Sequence, residues 1–248
     1  MSEMSLMEHL VELRKRIIYS LLGVLVGFGI VYYFSAQVFA WLIEPLCHIF
    51  ENAAQCSIVF TDLTEPFFVY LKVGFVGGIF LAAPWIFYQI WCFISPGLRA
   101  EERKYVVPFV VIASLMFIGG ALSAYYFFFP VAFHFLISQA VEPIRPMLSM
   151  GSYYSFASTL LLVFGIVSEL PVLIILLNVL GVLSAAGLWR TWRIAVAAIF
   201  IAAAIITPPD PYSMLFMAIP LSLLYLLSLV ICSLLEKLKA RSGGKNSL

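Results

Sequence analysis

The sequence predicts an all-α integral membrane protein with six transmembrane helices and both termini in the cytoplasm. Three observations carry this expectation. Of the 248 residues, 63% are hydrophobic and 11% charged, with a mean hydropathy of +1.06, against about 45–50% apolar and about 25% charged in a soluble domain. The apolar runs are long and continuous rather than alternating in polarity, which selects helices over a β-barrel. The cations gather in every second connection. Lys+Arg 14 nearly balances Asp+Glu 13, for a formal net charge of +1, which excludes nucleic-acid binding through a basic face.

Taken in order, Ile17 to Phe34 is 18 residues without a charge, enough to cross the hydrocarbon core. The second span covers about 67–94, with Lys72 near one end and Pro84 inside; the third, 109–129, is bracketed by Pro108 and Pro130. The fourth, 153–180, contains Glu169. The fifth, 194–206, offers only 13 uncharged residues before Thr207-Pro208-Pro209-Asp210, or about 20 Å of helix. The sixth runs over 212–235 and holds Pro220 in its first half. Residues 1–238 form one membrane domain without an internal repeat, and 239–248 are a basic tail expected to be disordered. Ahead of the first span, Leu6, Leu10, Leu13 and Ile17 share one helical face while Glu8, Glu12 and Lys15 share another. This is an amphipathic lead-in helix. The basic cluster, apolar run and Val38-Phe39-Ala40 imitate a cleavable signal peptide, but the run is too long and is preceded by Glu3, Glu8 and Glu12.

Orientation follows from the cations. Arg14, Lys15 and Arg16, then Arg99, Arg103 and Lys104, then Arg190 and Arg193, then Lys237, Lys239, Arg241 and Lys245 fall on one side, which is 12 of the 14. That side is cytoplasmic by the positive-inside rule. Tyr and Trp residues at the span ends agree with interfacial placement.

Few residues offer chemistry. Asp62 and Asp210 are the only aspartates and sit at outer ends, so there is no buried aspartyl pair; His-Glu-x-x-His and Gly-x-Ser-x-Gly are absent. No catalytic residue, cofactor or metal site is expected. Cys47 and Cys56 share the first outer loop, in an oxidising compartment for a bacterial inner membrane protein. Either a disulfide or two free thiols fits that spacing. Glu169 lies about 24 Å along its helix from Tyr153, and a carboxylate there costs at least ~2.5–3.5 kcal/mol on insertion scales. It is a functional acid or a carboxyl bonded to a neighbouring helix, and Pro171 two residues on breaks the local backbone ladder. Lys72 is close enough to a span end to snorkel. Glu12 can pair with Arg16 at i,i+4, and Glu101-Glu102-Arg103-Lys104 can be a solvated helix cap. An ion-coupled small-solute transporter using Glu169 is the rival reading.

Several segments together carry a resemblance. These are His9-Leu10-Val11-Glu12-Leu13-Arg14-Lys15-Arg16; Ala83-Pro84; Tyr88-Gln89-Ile90-Trp91-Cys92-Phe93-Ile94-Ser95-Pro96-Gly97-Leu98; Glu102-Arg103; Phe164-Gly165-Ile166 with Glu169-Leu170-Pro171; Thr207-Pro208-Pro209-Asp210; and Ala218-Ile219-Pro220. The chain resembles the TatC family, the multispanning subunit of the twin-arginine protein translocase, over nearly its whole length. The resemblance implies a cup-shaped six-helix protein with short fifth and sixth helices in the bacterial inner membrane. It implies docking of folded proteins whose signal peptide carries two consecutive arginines, assembly with single-span TatA- and TatB-type partners, homo-oligomers within the complex, and transport driven by the proton gradient.

The resemblance also assigns residues. Glu12, Glu102, Arg103 and Phe93 are expected at the signal-peptide site, where a carboxylate matches the guanidinium fork in a way that lysine cannot reproduce. Glu169 is the intramembrane polar residue. Thr207, Asp210, Pro45 and Gln89 are expected in partner-helix contacts or loop function. The chain departs from common family patterns where Leu226 follows Tyr225 and where Met214 follows Ser213.

Overall fold

Glycine decides how the first two membrane spans meet. The computed structural model describes residues 6–48, 58–94, 106–138, 147–179, 181–207 and 211–243. Helix α1, Leu6–Tyr33, runs without interruption from the amphipathic lead-in to the turn before α2, Ser35–Cys47. It packs along α3, Glu65–Ile94. At the crossing, a Cβ on Gly27 would stand 2.6 Å from the Gly78 carbonyl, and one on Gly78 would stand 2.6 Å from the Phe28 nitrogen. Only glycine on both helices allows this approach, the small-residue mode of helix association in membranes. Trp85 Nε1 seals the pair by donating to the Tyr19 carbonyl at 2.8 Å.

Between them α2, Ser35–Cys47, folds back over the far face of the bundle, the end opposite the N-terminus. The third span consists of α4, Val106–Ser123, a π-helical segment at Ala124–Phe128, and α5, Phe129–Ser138. It therefore continues through both prolines expected to bracket it. Pro108 sits in the first turn, where a missing N–H is tolerated, and the π segment just before Pro130 accommodates the second. The fourth span is α6, Met150–Ser168, followed by α7, Leu170–Val179, with the break at Glu169. On the far face, β1, Ile58–Val59, and β2, Leu148–Ser149, pair in parallel and tie the segments before α3 and α6.

The fifth span corrects the sequence expectation. Helix α8, Ala185–Ile206, has 22 residues and is about 33 Å long, because it begins well before Ile194 and includes Arg190 and Arg193. It is capped by Ser184, whose hydroxyl accepts the Gly187 N–H. Gly181, at φ +76°, ends α7 in a Schellman turn: its N–H reaches the Asn178 carbonyl and that of Val182 the Leu177 carbonyl. The sixth span, Met214–Leu238, has 25 residues, and with the 22 of α8 it is shorter than the other four spans of 27 to 30. Helix α9, Pro211–Gly243, has 33 residues and carries helix past Leu238, where the tail was expected to begin. Among the described residues, six helices are long and apolar enough to cross a membrane: Met7–Tyr33, Glu65–Ile94, Val106–Phe135, Met150–Val179, Ala185–Ile206 and Met214–Leu238.

The main core joins α2, α3, α4, α5, α6 and α9 around Phe39, Leu46, Phe128, Phe129, Tyr154 and Leu160. A second, smaller core holds α7, α8 and α9 through Leu188, Leu229 and Cys232.

Candidate signal-docking site

The N-terminal face brings together three of the predicted site residues. Glu12 lies on the second turn of the amphipathic part of α1, and Arg16 follows one turn later on the same side. Arg16 Nε and Nη2 each reach Glu12 Oε1 at 2.6 Å, the i,i+4 pair foreseen from the sequence. Arg16 Nη1 also donates to Gln89 Oε1 on α3 at 3.0 Å. Gln89 is 2% exposed, so an otherwise costly buried amide finds a charged partner across the helix pair. One turn beyond Gln89, the Phe93 ring stacks on His9, with centroids 4.4 Å apart. A carboxylate, a guanidinium, a buried amide and an aromatic pair thus share one corner. Such a corner holds cationic, fork-shaped groups well.

Glu102 and Arg103 lie outside the described residues, as do Asp210 and Cys56.

Glu169 sits apart from this corner, at the C-cap of α6. It is 7% exposed, and its Oε1 is buried without a hydrogen-bond partner among the described residues. Its backbone N–H reaches the Ile166 carbonyl and its carbonyl accepts from Leu173. Here α4 presses on α6: a Cβ on Gly120 would meet the Phe164 carbonyl at 2.6 Å, and one on Gly165 the Phe117 ring at 2.8 Å. Lys72 is exposed early in α3, close enough to that helix end to snorkel.

Thr207 ends α8. It is 5% exposed, and its hydroxyl donates to the Ala203 carbonyl at 2.8 Å. Pro45 is buried inside α2. Cys47 is disulfide-bonded, whereas Cys92 and Cys232 are free thiols.

Two polar centres escaped the sequence reading. Glu65 opens α3 and clamps the far face. Its Oε1 accepts from Ser149 Oγ and the Gly151 N–H, each at 2.5 Å, and its Oε2 accepts from the Thr61 N–H at 2.6 Å and from Thr61 Oγ1 at 3.0 Å. Glu236, late in α9, accepts from Asn178 Nδ2 and the Ala185 N–H, both at 2.7 Å, and so fixes the start of α8. An acid at a helix N-terminus is the available signal for Glu65; Glu236 had none.

Residues 8–220 match the family described as Sec-independent protein translocase protein (TatC). Proteins of that description share 41% identity over 235 residues in Magnetococcus marinus, covering 95% of this chain and 86% of theirs. In Koribacter versatilis the figure is 39% over 235 residues, covering 94% and 86%; in Escherichia coli it is 36% over 220 residues, covering 89% and 84%. The crystal structure of a twin arginine translocase receptor, TatC, superposes with a TM-score of 0.82 at 35% identity, covering 90% of this chain and 99% of that one. With this fold and these relatives, the chain belongs to the TatC family of Sec-independent protein translocases and is a multi-pass membrane protein.

Proposed function

We propose that this chain is the receptor subunit of a twin-arginine translocase, docking folded proteins by a signal peptide with two consecutive arginines. The observation that carries the reading is the partly exposed Glu12 carboxylate, which a guanidinium already engages within the chain itself. A site that receives Arg16 in this way has the chemistry to receive an arginine from outside. The α3–α4 connection contains Glu102 and Arg103, and we assign Glu102 the second carboxylate of the site. Phe93, stacked on His9, supplies an apolar wall next to Glu12's end of α1.

The same reading puts this face in the cytoplasm, because it carries 12 of the 14 cations. It makes residues 1–238 one membrane domain. Glu169 provides a polar point inside the membrane, and Thr207, Asp210 and Pro45 serve contacts with TatA- and TatB-type single-span partners or loop function. Copies of the chain assemble within the complex, and transport draws on the proton gradient. The chain acts by binding and assembly, without a catalytic step. The family match lends no support to a small-solute transporter.

Crosslinking of a labelled Arg-Arg signal peptide to the purified complex tests the docking site. Glu102→Lys is expected to abolish the crosslink while assembly persists. Glu12→Lys combined with Glu102→Lys is expected to recover part of it with a signal whose arginines are replaced by glutamates. Undiminished crosslinking in Glu102→Lys would mean that the arginines are read elsewhere.

A further inference from the structure

We infer that Gln89 and Arg16 form a positioning relay that aims the Glu12 carboxylate and thereby sets a preference for arginine over lysine in the incoming signal. The inference rests on the docking reading above.

The geometry is specific. Arg16 spends Nε and Nη2 on a single oxygen, Glu12 Oε1, and Nη1 on Gln89 Oε1. Among the described residues, nothing engages Glu12 Oε2. An i,i+4 ion pair on a partly exposed helix is weak and samples several rotamers. This one differs because the third guanidinium nitrogen is anchored to an amide that is 2% exposed on another helix. The anchor does not drift. Helices α1 and α3 are locked by the Gly27–Gly78 approach, by Trp85 Nε1 on the Tyr19 carbonyl, and by the His9–Phe93 stack.

A carboxylate held in this way presents one oxygen in a fixed direction. Arg16 itself demonstrates that two guanidinium nitrogens can converge on one carboxylate oxygen, and an incoming arginine can do the same on Oε2. Lysine is a compact, strongly hydrated point charge whose attraction to a carboxylate depends little on that direction. Loosening the carboxylate therefore costs the arginine ligand its preorganised bonds and costs lysine little.

The test uses the full chain in lipid nanodiscs with two fluorescent signal peptides, identical except for Arg-Arg or Lys-Lys, and the ratio of their affinities as readout. Gln89→Met keeps the side-chain volume and removes the acceptor for Arg16. It is expected to lower the Arg-Arg preference by roughly tenfold, the scale of one charge-assisted bond, with Lys-Lys affinity nearly unchanged. Arg16→Lys, which cannot bridge both partners, is expected to do the same without altering a buried position. An equal loss for both peptides would reduce Gln89 to packing and overturn the relay, as would an unchanged ratio in either variant. If the unaltered chain shows no Arg-Arg preference, the docking reading fails in an arm that contains no substitution, and the relay falls with it.

Discussion

Gly27 and Gly78 touch backbone to backbone, so the α1–α3 pair has no room for a side chain on either partner at that crossing. Replacing Gly27 by Leu forces the helices apart and is expected to cost about 1–3 kcal/mol through overpacking. Gly29, on the same helix with open space around it, is the control. Gly29→Ala is expected to hold or raise stability by up to about 1 kcal/mol, since alanine is the better helix former. Thermal unfolding of the two variants in detergent checks both signs.

Glu65 ties two far-face segments that are remote in sequence, Thr61 before α3 and Ser149 to Gly151 at the start of α6. Glu65→Ala leaves the Gly151 and Thr61 amides without this acceptor. Hydrogen exchange is expected to quicken at both amides in that variant while the Gly27–Gly78 crossing keeps its protection. Unchanged exchange at Gly151 would show that the clamp does not hold the far-face segments.

Glu169 separates fold from function. Its carboxylate is buried with one oxygen unpartnered among the described residues, a cost that an apolar side chain removes. Glu169→Leu is therefore expected to melt no lower than the parent chain and yet to transport poorly. Glu169→Gln, which keeps a donor and an acceptor, is expected to transport better than the leucine variant. Equal transport by both would remove the polar role assigned to this residue.

Of the four cysteines, Cys92 and Cys232 are free and Cys47 is disulfide-bonded. Peptide mapping without reductant is expected to recover Cys47, the last residue of α2, joined to Cys56. Free Cys56 throughout the preparation would refute that pairing.

Some of the corner around Glu12 is legible in the sequence alone. The 3.6-residue spacing of Leu6, Leu10, Leu13 and Ile17 announced the helix that carries Glu12, and the four-residue step to Arg16 announced its ion pair. The bond from Arg16 to Gln89 was not legible, because it joins residues 73 apart in the chain. Nothing local in Tyr88-Gln89-Ile90 distinguishes a buried acceptor from an interfacial amide. The fifth span was misjudged for another reason. Counting uncharged residues from Ile194 treats Arg190 and Arg193 as a boundary, yet long cationic side chains can extend toward the interface while their backbone stays helical. Ser184, two residues before Ala186-Gly187, was the better marker, since a serine hydroxyl satisfies the free N–H groups of a first turn.

By itself the sequence determined the class, the number of spans, the lead-in helix and the break near Glu169-Leu170-Pro171. Each of these follows from terms that act locally: transfer of apolar side chains into lipid, backbone hydrogen bonding within one segment, and the missing N–H of proline. Only the tertiary structure decided that Gly27 faces Gly78, that Gln89 anchors Arg16, that Glu65 spans two far-face segments and that Glu236 holds the start of α8. Lipid is as apolar as leucine, so hydropathy drives a helix into the membrane without choosing its neighbour. That choice is made by close packing at small residues and by hydrogen bonds between distant positions.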